Sequence, residues 1–360
     1  MPISSSQRLA LDVTDPGIPA DASTGVLAGG FAPLSAHPHV SSGSLPTPDR
    51  LIEAVEATLA TVRQDNRGAL STVYPALAAA NPDHVAIALA GVSGRMVSAG
   101  DDEVQFTIMS VAKPFVLALV ADALGPEAVR RRIGINATGL SFNSAEAIER
   151  MQGGRTNPMV NAGAIATAGM APGSGAEEKW EFILDGLSRL AGRRLELDED
   201  VLASARATNH QNRALANMLH TRGVIRCDPD EAVDVYTRQS CVALDVRDVA
   251  VLGATIANGG RNPMSNDQVV SAETCHDVMA VMATAGLYET SGDWLWDVGL
   301  PGKSGIGGAI VAASPGKGGL ATFSPLLDSA GNSVRGQIAA KLLSHELGLD
   351  VFATRPSSPA

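Results

Sequence analysis

The strand-forming stretches lie far apart in this chain, and that placement limits the folds open to it more than any other feature. Residues 84–101, HVAIALAGVSGRMVSAGD, set two apolar runs around glycine-containing turns, the pattern of an antiparallel hairpin. Comparable runs return only near the other end, in WLWDVGLPGKSGIGGAIVAASPGKGGLATFSPL at 294–326. Helical patterns such as EEKWEFILDGLSRLAG and NRALANMLHTRG fill the interval. Strands at both ends with helices between imply an α+β body, its sheet assembled from distant segments and an all-α region inserted.

Boundaries follow from the same patterns. Residues 1–47 are rich in Ser, Gly, Pro and Ala without sustained periodicity and are expected to form a flexible N-terminal extension. Folding is expected to begin where Thr47 can cap a helix, Pro48 suits its first position, and Leu51, Val55, Leu59 and Val62 recur at helical spacing. Residues 48–115 and 241–353 are then the α/β sheet body, 116–240 the helical region, and 354–360 a tail. VLALVADALGPEAVRRRIG should break at Gly125 and Pro126, and VRGQIAAKLLSHELGL should close the fold as an amphipathic helix.

Composition excludes several partners. With 27 Lys and Arg against 38 Asp and Glu, the formal charge of -11 leaves no surplus of cations to displace counterions from phosphates, so nucleic acid is not expected. No apolar run of about 18 residues is present to span a bilayer. Three cysteines, Cys227, Cys241 and Cys275, show no Cys-x-x-Cys spacing and suit a reducing compartment. Asp and Pro interrupt the apolar residues near the N-terminus, unlike an export signal, and a cytoplasmic location is expected. None of the seven histidines forms His-Glu-x-x-His, so no metal or cofactor is expected.

Only five lysines occur among the basic residues, which makes each one informative. Two Ser-x-x-Lys matches appear, Ser110–Lys113 and Ser314–Lys317. Pro315 and Gly316 give the second a turn, with no shared helical face, and Lys317 is expected at the surface. The first precedes PFVLALVADAL, where residues three apart share a face of the helical turn. Pro114 is tolerated there because its missing N–H falls in the first turn. Two readings stay open at this point: a cap with a solvated lysine, or a serine nucleophile with a desolvated lysine as base and helix N-terminal N–H groups for an oxyanion.

GLPGKSGIGG at 299–308 is no phosphate loop, since Asp297 stands where the first glycine is required and a strand follows. Lys303-Ser304-Gly305 opening a strand is instead the counterpart of the Lys-Thr-Gly element that accompanies Ser-x-x-Lys in penicillin-recognising enzymes.

From about residue 50 to 353 the chain resembles the bacterial serine-dependent glutaminases, relatives in fold of the serine β-lactamases. The matching stretches include GDDEVQFTIMSVAK, GLSFNS, NPMVNAGAIAT, NRALA, DVYTRQS, NGGRNPM, GLYETSGDWLWDVGLPGKSGIGGAI and FSPLLDSAGNSVRG. The resemblance implies an α+β, serine β-lactamase-like fold, with an antiparallel sheet flanked by helices. It implies hydrolysis of the side-chain amide of L-glutamine through an acyl-serine intermediate, by a homo-oligomer without cofactor. Ser110 would be the nucleophile, Lys113 its base, and Tyr288 a proton carrier. The backbone N–H groups of Ser110 and Ile306 would form the oxyanion hole. Asn161, Asn212 and Tyr236 would hold the substrate, with Lys303 and Ser304 on the strand beside it.

Two positions depart from the family pattern. Val73 stands where a substrate-contacting tyrosine is expected, with Tyr74 one residue late, and Ala205 replaces a glutamate that binds the α-amino group. Loss of a charge-assisted hydrogen bond weakens binding by about 1.5–3 kcal/mol. An amidase of shifted specificity, or a catalytically weak metabolite-binding member, is the alternative these replacements leave.

Overall fold

Strand β1 (Ala86–Gly91) alternates small and large side chains, and this alternation decides how the layers stack. Ala86, Ala88 and Ala90 join one buried cluster, while Ile87 and Leu89 join another on the opposite face. The computed structural model describes residues 43–354. Residues 1–42 of the expected flexible extension, and 355–360 of the expected tail, lie outside the described residues.

The hairpin expected at 84–101 is present: β1 pairs antiparallel with β2 (Met96–Gly100), Ala90 opposite Met96. Three strands from the far end of the chain complete the sheet, β6 (Gly302–Ser304), β7 (Ala309–Ser314) and β8 (Gly318–Phe323), in the order β2-β1-β8-β7-β6. Every neighbouring pair is antiparallel. Both faces of the central strands are covered, so β1, β7 and β8 are buried along their whole length.

Helices α1 (Pro48–Val62) and α14 (Val334–Leu347) cover the large-residue face, where Leu51 and Val55 join Ile338 and Leu343 in one cluster. Helix α11 (Val246–Ala257) covers the small-residue face. A Cβ at Gly319 would stand 2.3 Å from both Ala250 O and Ala254 N, so glycine lets the helix backbone lie directly on β8.

Between the two halves of the sheet the chain is mainly helical. It runs through α2 (Pro75–Ala78), β3 (Phe106–Thr107), α3 (Ala112–Leu124), α4 (Pro126–Ile133) and α5 (Ala145–Arg150). It continues through α6 (Asn161–Gly169), α7 (Ala176–Ala191), β4 (Glu196–Leu197), α8 (Glu199–Thr208), α9 (His210–Thr221), α10 (Pro229–Ser240) and β5 (Val242–Leu244). Strands β3, β5 and β4 form a second small sheet. Gly125, at φ 87°, separates α3 from α4 where the sequence places a break.

Two expectations are corrected. The strand character expected from Trp294 begins only at Gly302, after α12 (Ala272–Ala285) and α13 (Ser291–Val298). Trp294 and Val298 point inward four residues apart while Trp296 is 89% exposed, so the spacing there is helical, and Trp294 Nε1 donates to Leu300 O at 2.7 Å. Lys317 is not a surface residue either. It occupies the β7–β8 turn, as its Pro and Gly neighbours predict, but is buried there, its Nζ donating to Gly348 O at 2.8 Å. Ser314 Oγ donates to Leu349 O at 2.9 Å, so this second Ser-x-x-Lys ties the turn to the end of α14.

Candidate active site

The chain reaches Ser110 through a reversal. Ile108 N–H donates to Val242 O beside β5, and Met109 then takes φ 47°, a conformation rarely adopted by a side-chain-bearing residue. A single 3₁₀ turn, Met109–Val111, carries Ser110 directly into α3, and Lys113 lies in the first turn of that helix. Ser110 makes no capping hydrogen bond, and Lys113 is buried at 2% exposure. Of the two readings open at the sequence level, the cap with a solvated lysine is excluded.

Lys113 Nζ donates to Asn161 Oδ1 at 2.7 Å and to Met159 O at 3.3 Å. Burial pulls its amine down from the usual lysine range to about 7. Asn161 opens α6, and its placement depends on the preceding turn. A Cβ at Gly163 would stand 1.9 Å from Asn157 O, so only glycine lets the helix start this close to that loop. Asn157 is itself fastened, its Nδ2 donating to Asn136 O and its Oδ1 accepting from Met159 N.

Asn161 joins the other substrate-side residues. Its Oδ1 also accepts from Tyr236 Oη at 3.0 Å, and its Nδ2 donates to Asn212 Oδ1 at 3.1 Å. Asn212 Nδ2 donates to Asn209 Oδ1 at 2.5 Å, and Asn209 Nδ2 to Thr237 Oγ1 at 2.7 Å. Helices α3, α6, α9 and α10 are thus locked by one chain of polar contacts with every amide orientation determined. Burial first, then the neighbouring Tyr74, raises the Tyr236 hydroxyl well above its usual range, so it stays a neutral donor.

Tyr288 approaches from the other side. It also takes a positive φ, 55°, and its Oη donates to Ser304 O at 3.4 Å. Its ring lies 4.6 Å from that of Phe142, centroid to centroid. Burial pushes its hydroxyl up to about 12, an effect opposed by hydrogen bonding to Ser110 and Ser304. Two left-handed non-glycine residues, Met109 and Tyr288, therefore flank the serine, the kind of backbone strain that concentrates at functional sites.

Lys303 and Ser304 are placed differently from the sequence expectation. Both are fully buried, and neither lines the cleft. Lys303 Nζ donates to Gly286 O at 2.7 Å and Ser304 O at 2.6 Å, and stands 4.2 Å from the centroid of the Tyr288 ring. Burial, then the nearby Lys113, holds its amine well below the usual lysine range. Ser304 Oγ donates to Asn332 Oδ1 at 2.5 Å. The Lys303 amine and the Ser304 carbonyl thus hold Tyr288 from behind, and both side chains are buried because β6 is covered on both faces.

Immediately after β6 the chain passes against the nucleophile turn. A Cβ at Gly305 would lie 3.2 Å from Ile108 O and 3.3 Å from Ser110 N, an approach that suits glycine. Ile306 follows and lines the cleft together with Ser110, Asn161, Asn212 and Tyr236. The cleft measures about 300 Å³, the low end of the range for small-molecule sites. Sequence reasoning missed Asn209, whose spacing of three before Asn212 on a helix was the available signal, and Phe142, which sits inside the matched GLSFNS stretch. Val73 and Tyr74 both border the cleft, whereas Ala205 is buried.

The model of the glutaminase family matches residues 68–352. Glutaminase 2 of Yersinia pestis is 54% identical over 318 residues, covering 88% of this chain and 94% of that protein. Among solved structures, the probable glutaminase ybaS superposes with a TM-score of 0.84 at 41% identity, covering 86% of this chain and all of that one. A probable glutaminase from Bacillus subtilis, complexed with 6-diazo-5-oxo-L-norleucine, gives a TM-score of 0.74 at 28% identity, covering 87% and 97%.

Proposed function

This chain belongs to the glutaminase family and hydrolyses the side-chain amide of L-glutamine to L-glutamate and ammonia; we propose that it does so through a glutamyl-serine intermediate on Ser110. The hydrogen bonding of Lys113 carries this reading. A neutral amine has two N–H donors and one lone pair, and the two donors are taken by Asn161 Oδ1 and Met159 O. The lone pair is left for the serine proton, and burial keeps a large share of the amine neutral near pH 7.

In acylation, Ser110 Oγ attacks the amide carbon as Lys113 takes its proton. The N–H groups of Ser110 and Ile306 receive the oxyanion at the mouth of the β6–β7 turn. Tyr288, kept protonated by burial, passes its proton to the departing nitrogen and takes one back from the Lys113 ammonium, and the C–N bond breaks to release ammonia. Water then attacks the ester carbon, giving one proton to Lys113; the acyl C–O bond breaks, that proton passes to Ser110 Oγ, and the product ionises to L-glutamate. Asn161, Asn212 and Tyr236 orient the amide. Three free thiols, two of them buried, support work in a reducing cytoplasm, the surplus of acidic residues argues against nucleic acid, and the family resemblance supports a homo-oligomer.

Mass spectrometry of protein quenched during turnover tests the mechanism. A glutamyl adduct is expected on the peptide bearing Ser110 and is expected to be missing from Ser110→Ala. Undiminished ammonia release by Ser110→Ala would overturn it.

A further inference from the structure

The cleft beside Ser110 is built without charge. Among the described residues that line it there is no Asp, Glu, Lys, Arg or His side chain. Tyr74, Thr208, Gln211 and Ser240 are among its lining residues, all neutral. The acids of α8, Glu199 and Asp200, sit exposed in the first turn of that helix, whereas Thr208 borders the cleft from its last. Asp234, on the helix that supplies Tyr236, is engaged by Arg206 at 2.7 Å and Arg238 at 2.8 Å. A positively charged α-ammonium group entering this cleft would lose water without gaining a counter-charge from its lining, which is unfavourable.

Tyr74 is the group best placed to act there. Its ring packs on the buried cluster of Leu202, Ala205 and Cys241, which fixes its direction. Burial pushes its hydroxyl up to about 12, so it is a neutral donor, and among the described residues the hydroxyl has no hydrogen-bond partner. Ala205, 1% exposed, is the floor on which the ring stands. Next to Tyr74 the mouth stays open, since Val73 is 52% exposed. Tyr74, Tyr236 and Tyr288 are the only tyrosines in the chain, and all three stand at this site.

Resting on the glutaminase reading, we propose that Tyr74 reads the amino-acid end of the substrate by a neutral hydrogen bond. The enzyme therefore accepts γ-amides whose α-nitrogen is acylated about as well as free glutamine. An acylated nitrogen carries no charge to desolvate, and the open mouth beside Val73 gives the acyl group a path to solvent. The class of substrate is a glutamine with a blocked α-amine.

Ammonia release from L-glutamine and from Nα-acetyl-L-glutamine, by wild type and by Tyr74→Phe, tests this. Wild-type kcat/KM values for the two amides are expected to agree within about tenfold. Tyr74→Phe, which keeps the ring packing, is expected to raise KM for both by about five- to tenfold while kcat stays within about twofold, as for one lost hydrogen bond. A preference for free glutamine beyond about a hundredfold, about 2.7 kcal/mol, overturns the proposal while leaving the glutaminase reading intact. An unchanged KM in a Tyr74→Phe protein of wild-type melting temperature also overturns it. No release from either amide sinks both readings together.

Discussion

Lys113 Nζ and Asn161 Oδ1 are 2.7 Å apart, so the base and the first substrate-side residue are a single unit. With its amine held at about 7, Lys113 is mostly neutral above that pH, and below it each unit of acidity lowers the neutral fraction about tenfold. Wild-type kcat/KM is therefore expected to rise about tenfold per pH unit below 7 and to level above it. Asn161→Asp puts an anion against the amine, which favours the charged form and raises its pKa. The acid limb should move to higher pH by about one unit or more, as nearby opposite charges do. A pH series of ammonia release reads both, and a limb that stays in place or moves to lower pH would contradict this pairing.

The two Ser-x-x-Lys motifs give a paired prediction. Ser110→Ala should abolish turnover and Lys113→Ala nearly so. Lys317→Ala should keep activity within about threefold, since its amine reaches Gly348 O, at the end of α14. Because it is buried and hydrogen bonded, its loss should lower stability by about 1–3 kcal/mol. Denaturant melts alongside activity separate the two effects, and equal activity losses at Lys113 and Lys317 would refute the choice between the motifs.

How much of this was legible in the chain depended on whether the signal was local. The β1–β2 hairpin, the start of α1 at Pro48 and the break at Gly125 rest on chemistry within a few residues, and each stands where the sequence puts it, although Thr47 at the N-cap makes no side-chain capping hydrogen bond. The Lys113 motif was legible for the same reason, as spacing on one helical turn. Nothing local marks Met109 or Tyr288 for positive φ; both conformations are imposed by the strands and helices packed around them. Lys317 and Lys303 were misplaced because a lysine beside Pro and Gly, or on a short strand, reads as solvated or substrate-facing. Whether α14 closes over the first and Tyr288 over the second is decided by residues far away in sequence.

Lys303 provides the third prediction. Its amine stands 4.2 Å from the Tyr288 ring centroid and does not line the cleft, so it touches the catalytic groups through that tyrosine and, electrostatically, through Lys113. Lys303→Met keeps much of the packing but removes the amine from the Tyr288 ring face and its donors to Gly286 O and Ser304 O. Expected is a fall in kcat of about 10- to 100-fold, the scale of impaired proton transfer, with KM within about twofold. A matching rise in KM with kcat unchanged would show that Lys303 serves binding instead.

Gly305 is a close link between the sheet and the nucleophile. An added Cβ would meet Ile108 O at 3.2 Å and Ser110 N at 3.3 Å, contacts that must lengthen by a few tenths of an ångström. The groups that must move are backbone, so either the nucleophile turn or the residue that follows, Ile306, shifts. Misplacement of reacting groups by about 1 Å costs about a hundredfold, so a few tenths should cost kcat about tenfold. Gly305→Ala is therefore expected to lower kcat with little change in KM, since Asn161, Asn212 and Tyr236 are held by hydrogen bonds to one another. Gly163→Ala is the contrast, because its Cβ would fall 1.9 Å from Asn157 O and the start of α6 would have to move as a body. That variant should lose stability and raise KM together. Steady-state kinetics with thermal melts on the two proteins distinguish them, and a Gly305→Ala enzyme of full kcat would show that the strand end does not set the position of Ser110.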